Sequence, residues 1–149
     1  MTLAIGSDPA GYQLKLHLGQ ELKTEPYEVV DVGCHSTEPA DYPLFAQRAG
    51  AMVASGECDR AVLICGTGQG MTMAANRIRG VRASLCHSEF AAVMSREHND
   101  ANVLCMGAWM ISPETACRIL RIWLFARFSG AAIHRSRIEM MDRPDEGGV

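Results

Sequence analysis

The 149 residues are poor in the features that mark several large protein classes. No apolar run approaches the roughly 20 residues that a membrane-spanning helix needs, and the opening MTLAIGSD lacks the basic segment and long apolar core of a signal peptide. A cytoplasmic location is expected. With a formal net charge of −3 and basic residues scattered as far as about position 118, the chain has no broad cationic field, so nucleic acid is not an expected partner. Cys34, Cys58, Cys65, Cys86, Cys105 and Cys117 form no Cys-x-x-Cys pair, and several fall within apolar runs. Reduced thiols are expected rather than disulfides. His17, His35, His87, His98 and His134 have no short ligand spacing to one another or to the cysteines, which disfavours zinc.

What is present describes a globular domain. The chain is 48% apolar and 21% charged, a composition that folds, and its length matches one ordinary domain. A single domain is expected over residues 1–142, with 143–149 reading as a flexible tail. Short apolar segments, LAIG, YEVVDVG, RAVLICG, VRASLC and NVLCMG, read as buried strands. Helix-compatible stretches separate them: AGYQLKLHLGQELKT, DYPLFAQRAGAMVASGE, GMTMAANRI and SEFAAVMSREH, with SPETACRILRIWLFARF after the last strand. This alternation predicts an α/β fold, a Rossmann-like three-layer αβα sandwich around a five-stranded, mainly parallel sheet. Ser88 and Ser112 are placed to cap helices, and Pro113 suits a first helical turn. The last of these helices is expected to begin near 112, and GAAIHRSRIEMM permits a further short helix beyond Gly130. In such sheets ligands bind beyond the carboxyl ends of the strands, where strand order reverses. Asp8, Asp41 with Tyr42, Cys65, and Cys86 with His87 occupy those ends.

The densest motif is ICGTGQGMTMAANR. A phosphate-binding loop requires Gly-Lys-Ser/Thr, but Met71 and Thr72 follow Gly70. A dinucleotide fingerprint requires G-x-G-x-x-G after the first strand, whereas G-x-G-x-G here follows the third. No cofactor is expected. Two readings of the loop stay open: a tight strand-to-helix turn with Cys65 as core filler, or a nest of backbone N–H groups beside a thiol that serves as base or nucleophile. A second cluster, SREHNDANV, puts His98 and Asn99 at a helix end. A histidine there is a favourable partner for the helix dipole. It also lies at the end of the sheet opposite Cys65, so it reaches a cysteine site only across a subunit interface, which a symmetric dimer supplies.

These segments resemble the ribose-5-phosphate isomerase B family, which also contains the galactose-6-phosphate isomerase subunits. The likeness runs through AIGSDPAGYQLK, DYPLFAQRA, ICGTGQGMTMAANR, SREHNDANVLCMG, RIWL and HRSRIE, nearly the whole chain. The resemblance implies cofactor-free aldose–ketose isomerisation through a cis-enediolate, on a small sugar or sugar phosphate. It further implies a homodimer with active sites at the interface, and a tetramer is compatible with it. Cys65 is then the base that moves a proton between C1 and C2, and Thr67 assists. The N–H groups of Gly66 to Gly70, with Gly68 between them, hold the enediolate oxygen. His98 of a second copy opens the furanose ring near Asp8, while Tyr42, Asn76 and Asn99 position sugar hydroxyls or the loops around them. His134 and Arg137 belong to the family's carboxyl-terminal substrate-binding pattern.

Three positions depart from it. Members commonly read Asp-His where this chain has Asp8-Pro9, carry an arginine where Trp109 stands, and carry another where Ile133 stands, with Arg135 a stand-in. Altered phosphate recognition is the expectation, with two alternatives: isomerisation of another sugar, such as a tetrulose 4-phosphate or a free sugar, or a noncatalytic sugar-binding or regulatory subunit of a hetero-oligomeric isomerase.

Overall fold

The structure is a computed structural model that describes residues 1–143. Its elements alternate as the apolar pattern predicts: β1 (Thr2–Ser7), α1 (Tyr12–Leu22), β2 (Glu28–Gly33), α2 (Tyr42–Ser55), β3 (Arg60–Cys65), α3 (Gln69–Ala75), β4 (Ala83–Leu85), α4 (Glu89–Glu97), β5 (Val103–Gly107), α5 (Pro113–Phe125) and α6 (Ala132–Asp142). The strands form one five-stranded sheet in the order β2-β1-β3-β5-β4, and each neighbouring pair is parallel. The tail expected from 143 onward lies, apart from Arg143, outside the described residues.

Parallel strands buried on both faces must be apolar on both, and the two-residue side-chain period sorts them into two cores. Leu3, Ile5, Val62, Ile64, Leu104 and Met106 face α1, α4 and α5, with Trp123 fully buried among them. Ala4, Leu63, Cys65, Val103 and Cys105 face α2 and α3. The sheet therefore lies between two helical layers.

The expected caps are in place: the Ser88 hydroxyl accepts the Ala91 N–H at 3.1 Å, and that of Ser112 accepts the Thr115 N–H at 3.3 Å, with Pro113 following. Helix α5 stops at Phe125, because Ala126 turns to an extended ψ of 139°, three residues short of the apolar pattern's end at Phe128. The permitted further helix forms as α6. It contributes no buried residue to the protomer. Among the described residues no helix is long and apolar enough to cross a membrane.

Lys15, 2% exposed, stands among the apolar residues of α1. Its Nζ donates to both carboxylate oxygens of Asp31 at 2.6 and 2.8 Å and to the Cys34 carbonyl at 2.6 Å. One ammonium thus joins α1 to the end of β2 and to the start of the loop that leads to Tyr42. A buried ammonium is tolerable only with such partners. Lys15→Met is expected to lower unfolding free energy by about 2 kcal/mol, since it leaves those acceptors without their charged donor. Urea denaturation measures this.

Candidate active site

Between β1 and β3 the strand order reverses: β2 lies outside β1, and β5 and β4 lie beyond β3. The chains leaving β1 and β3 part there and open a site at their carboxyl ends. Asp8 and Cys65 are the residues at those ends. The Asp8 N–H donates to the Ile64 carbonyl at 3.1 Å, which ties the first loop to the third strand. Asp8 Oδ1 accepts the Gly11 N–H at 2.9 Å. Burial pushes the Asp8 carboxyl above its ordinary 3.8, against backbone N–H groups of Gly11 and Ala10 that pull it down.

Cys65 is 5% exposed, and its sulfur accepts the Gly68 N–H at 3.1 Å. That N–H is a fixed dipole aimed at the atom that becomes negative when the thiol gives up its proton. The turn depends on Gly68, whose φ of +80° places a left-handed residue before α3 and whose absent Cβ leaves room for the Met106 carbonyl carbon. The Gln69 N–H points to the Thr67 hydroxyl at 3.4 Å. Those of Gly66, Thr67 and Gly70 have no acceptor among the described residues. Of the N–H groups from Gly66 to Gly70 expected to hold an oxyanion, the Gly68 donor is thus turned to the sulfur instead.

Two aromatic rings flank this loop. Tyr42, at the start of α2, packs against Gly70, and Trp109 covers Gly66 so closely that an added Cβ would lie 2.6 Å from its ring. Trp109 is 73% exposed and its N–H donates to the Gly66 carbonyl at 2.9 Å, beside the Ala108 N–H on the Cys65 carbonyl at 2.9 Å. The loops at the carboxyl ends of the strands, residues 8–11, 34–41, 66–68, 86–88 and 108–112, contain no lysine or arginine, while Asp8, Glu38 and Asp41 are acidic.

The other expected site residues fall elsewhere. Asn76 spends its amide on Ala83, accepting that N–H at 2.8 Å and donating to that carbonyl at 2.9 Å. It lines, with Asn99, Ser84 and Met141, a cleft of about 350 Å³. His98 caps α4 at the amino-terminal end of the sheet, and its ring lies on that of His134 from α6, centroids 4.2 Å apart. Arg137 is exposed on the same helix. The chain thus gathers Asp8, Tyr42, Cys65 and Thr67 at one end of the sheet and His98 with His134 at the other.

A family model described as Ribose/Galactose Isomerase matches residues 3–141. The chain belongs to this family. Among its members, ribose-5-phosphate isomerase B of Escherichia coli is 41% identical over 92% of this chain and 91% of its own. The 4-deoxy-4-sulfo-D-erythrose isomerase of Clostridium sp. strain MSTE9 is 40% identical over 87% and 82%. A solved structure of Clostridium thermocellum ribose-5-phosphate isomerase B superposes with a TM-score of 0.94 at 44% identity, covering 95% of each chain. The ribose/galactose isomerase scaffold therefore extends over the glycine loop, both histidines and α6.

Three polar residues of this scaffold were not singled out from the sequence. Lys15 and Asp31 each interrupt an apolar segment, and opposite charges in two such segments are a readable sign of a buried pair. Ser129 carries no such sign, because its contacts arise only when α6 folds back. Among the described residues no three His, Cys, Asp or Glu side chains gather as a metal site.

All six cysteines are free, and burial sets most of them apart from a reactive thiol. It pushes Cys105 up to about 12 and raises Cys58, Cys86 and Cys117. At neutral pH, iodoacetamide is expected to leave these four unmodified in the folded protein while Cys65 reacts, read by peptide mass spectrometry; equal labelling of Cys105 would contradict the assignment.

The raised Asp8 carboxyl holds a proton in the folded state that the unfolded chain has released, so stability falls as pH climbs from 3.8 through the folded value. Asp8→Asn removes that slope and keeps an acceptor for Gly11. Denaturation midpoints from pH 3 to 7 should show the variant gaining on the parent as pH rises, then levelling.

Proposed function

We propose that the protein is a cofactor-independent aldose–ketose isomerase acting through a cis-enediolate, with Cys65 as the base. The observation that carries this reading is the Gly68 N–H on the Cys65 sulfur, in a loop at the switch point of the sheet where the Gly66, Thr67 and Gly70 N–H groups have no acceptor among the described residues. A proton leaves C2 of an aldose for the Cys65 thiolate, and the electron pair moves through C1–C2 onto the carbonyl oxygen. Preorganised N–H donors of Gly66, Thr67 and Gly70 meet that charge. The Thr67 hydroxyl assists transfer of a proton between the two oxygens, and Cys65 returns its proton to C1. Tyr42 borders the sugar.

For a sugar that arrives as a ring, ring opening comes first; a tetrose 4-phosphate, whose O4 is esterified, has no ring to open. His98 of a second copy gives a proton to the ring oxygen as the C1–O ring bond breaks, and Asp8 takes the proton of the C1 hydroxyl as the carbonyl forms. A homodimer follows from this division of labour. Helix α6 has no fully buried residue and leaves Ile133, Met140 and Met141 exposed, with only His134, Ile138 and Asp142 half-buried on the face toward its own chain, and packing is what stabilises a short helix. Seated on a second copy, it brings His134, Arg135 and Arg137 to the cation-poor end where Cys65 lies.

The substrate departs from a pentose 5-phosphate. The protomer's own catalytic end offers Pro9 and Trp109 and no permanent cation, and each hydrogen bond to a charged group is worth about 1.5 to 3 kcal/mol. Trp109, set over Gly66, shortens the site and offers a stacking face. A tetrose phosphate or an unphosphorylated sugar suits this better. The relatives' names span both a pentose phosphate and a sulfo-tetrose at nearly equal identity, so overall likeness does not select between them.

Proton exchange in deuterated water, followed by NMR over free and phosphorylated tetroses, pentoses and hexoses, tests the proposal. Deuterium is expected at C1 or C2 of a tetrose phosphate or a free sugar, with loss of at least a thousandfold in Cys65→Ala, the scale of a proton-transfer base and its positioning. Ordinary turnover of ribose 5-phosphate would overturn the altered substrate. No exchange with any sugar, together with binding of one, would favour a noncatalytic subunit, the reading that the missing phosphate partners otherwise support.

A further inference from the structure

We propose that Ala108 and Trp109 are positioning residues that act through their backbone N–H groups, turning the Gly66 and Thr67 N–H groups together into the site to meet a substrate oxygen. The inference rests on the isomerase reading for the identity of that oxygen, the enediolate oxygen.

Along a regular strand successive carbonyls alternate between the two flanking strands. Strand β3 keeps that alternation up to Cys65: the Ile64 carbonyl accepts the Asp8 N–H at 3.1 Å on the β1 flank, and the Cys65 carbonyl accepts the Ala108 N–H at 2.9 Å on the β5 flank. The next carbonyl breaks it. Gly66 also turns its oxygen to the β5 flank, where the backbone N–H of Trp109 meets it at 2.9 Å. Both peptides are trans, and in a trans peptide the N–H points opposite to the carbonyl. The Gly66 and Thr67 N–H groups therefore both face away from the chain leaving β5. On that other flank lies the exit of β1, with Asp8.

Close packing of the two loops holds this arrangement. A Cβ added at Gly107 would lie 2.6 Å from the Thr67 carbonyl carbon and oxygen, and one added at Gly68 would lie 2.8 Å from the Met106 carbonyl carbon, so the chain leaving β5 meets the glycine loop backbone to backbone. Neither the Gly66 nor the Thr67 N–H has an acceptor among the described residues. Two adjacent donors turned to one side form a concavity that suits an anionic oxygen.

The third successive donor, the Gly68 N–H, goes to the Cys65 sulfur at 3.1 Å. Consecutive N–H groups are thus divided between the base and the oxygen whose charge that base creates. The division is set before any substrate arrives, so the donors need no rearrangement as charge develops. Because that charge exists only once C2 has lost its proton, misaiming the donors lowers kcat and leaves KM unchanged.

The test replaces single backbone N–H groups of the full chain by ester oxygens, with the matching α-hydroxy acid incorporated at position 108, 109 or 111. Each swap removes one donor and keeps the side chain. The Ile111 N–H has no acceptor among the described residues, so the ester there is the control. Glycolohydroxamate is the probe, since its N–O and C=O groups copy the two cis oxygens of a C1–C2 enediolate, which every aldose shares whatever its tail. Nitrogen-15 NMR is expected to show the Gly66 and Thr67 amide protons moving downfield as the probe binds the parent. The 108 and 109 esters should bind it about tenfold more weakly, the loss of one hydrogen bond to a charged group, while the 111 ester binds as the parent does. With a sugar that the parent turns over, kcat should fall about a hundredfold in the 108 and 109 esters, the scale of one oxyanion donor, with KM unchanged. No binding by the parent, binding that leaves the Gly66 and Thr67 amides unmoved, or parental binding by the 108 and 109 esters would overturn the proposal. Scalar coupling across the bonds from Ala108 to Cys65 and from Trp109 to Gly66 reports the clamp in the parent itself, and its absence would also overturn it, even where an ester swap unfolds the chain. Binding through Gly66 and Thr67 with no sugar isomerised would sink the isomerase reading and keep the donors, and isomerisation without such binding would do the reverse.

Discussion

The parting of the chain after β1 and β3 is the constraint on which the site depends. Two parallel strands held side by side carry their loops in opposite directions, since β2 pairs on one flank and β5 on the other. Backbone groups at those strand ends have no further strand to bond. The Asp8 N–H on Ile64 and the Ala108 and Trp109 N–H groups on Cys65 and Gly66 satisfy some of them, while the Gly66, Thr67 and Gly70 N–H groups have no acceptor among the described residues. Lys15 supports the same region from below, because its ammonium locks the exit of β2 that leads to Tyr42.

Charge is distributed over the molecule in a way that a single protomer does not explain. The end that carries Cys65 has carboxylates and no arginine, while α6, which buries nothing in its own protomer, carries Arg135, Arg137 and His134. Two incomplete sites with complementary contents at opposite ends of one chain fit a two-fold arrangement in which each completes the other. In the proposed dimer the raised Asp8 carboxyl of one copy and the paired imidazoles of the other border one site.

Much of this was legible in the residues. The five apolar segments and the helices between them follow from side-chain period, and Ser88, Ser112 and Pro113 mark helix starts through chemistry confined to three or four neighbouring residues. Cys65 was readable because a thiol ending an apolar strand before alternating glycines combines three local signals. Less legible was the end of α5. Phe128 continues its apolar pattern, but the chain turns extended at Ala126 so that Ser129 can bond Glu97. Asn76 reads from the sequence as a sugar ligand or a loop clamp, and the fold spends its amide on Ala83.

By itself the sequence determined the strand and helix content, the face each strand residue presents, and the placing of Cys65, Asp8 and Tyr42 at strand ends, since all of these depend on local period and chain direction. Only the tertiary structure decided that the Gly68 N–H meets the sulfur, that Trp109 covers Gly66, and that His134 lies on His98. Those contacts join residues far apart in the chain or set by a single backbone torsion, and their energies exist only after the layers have packed.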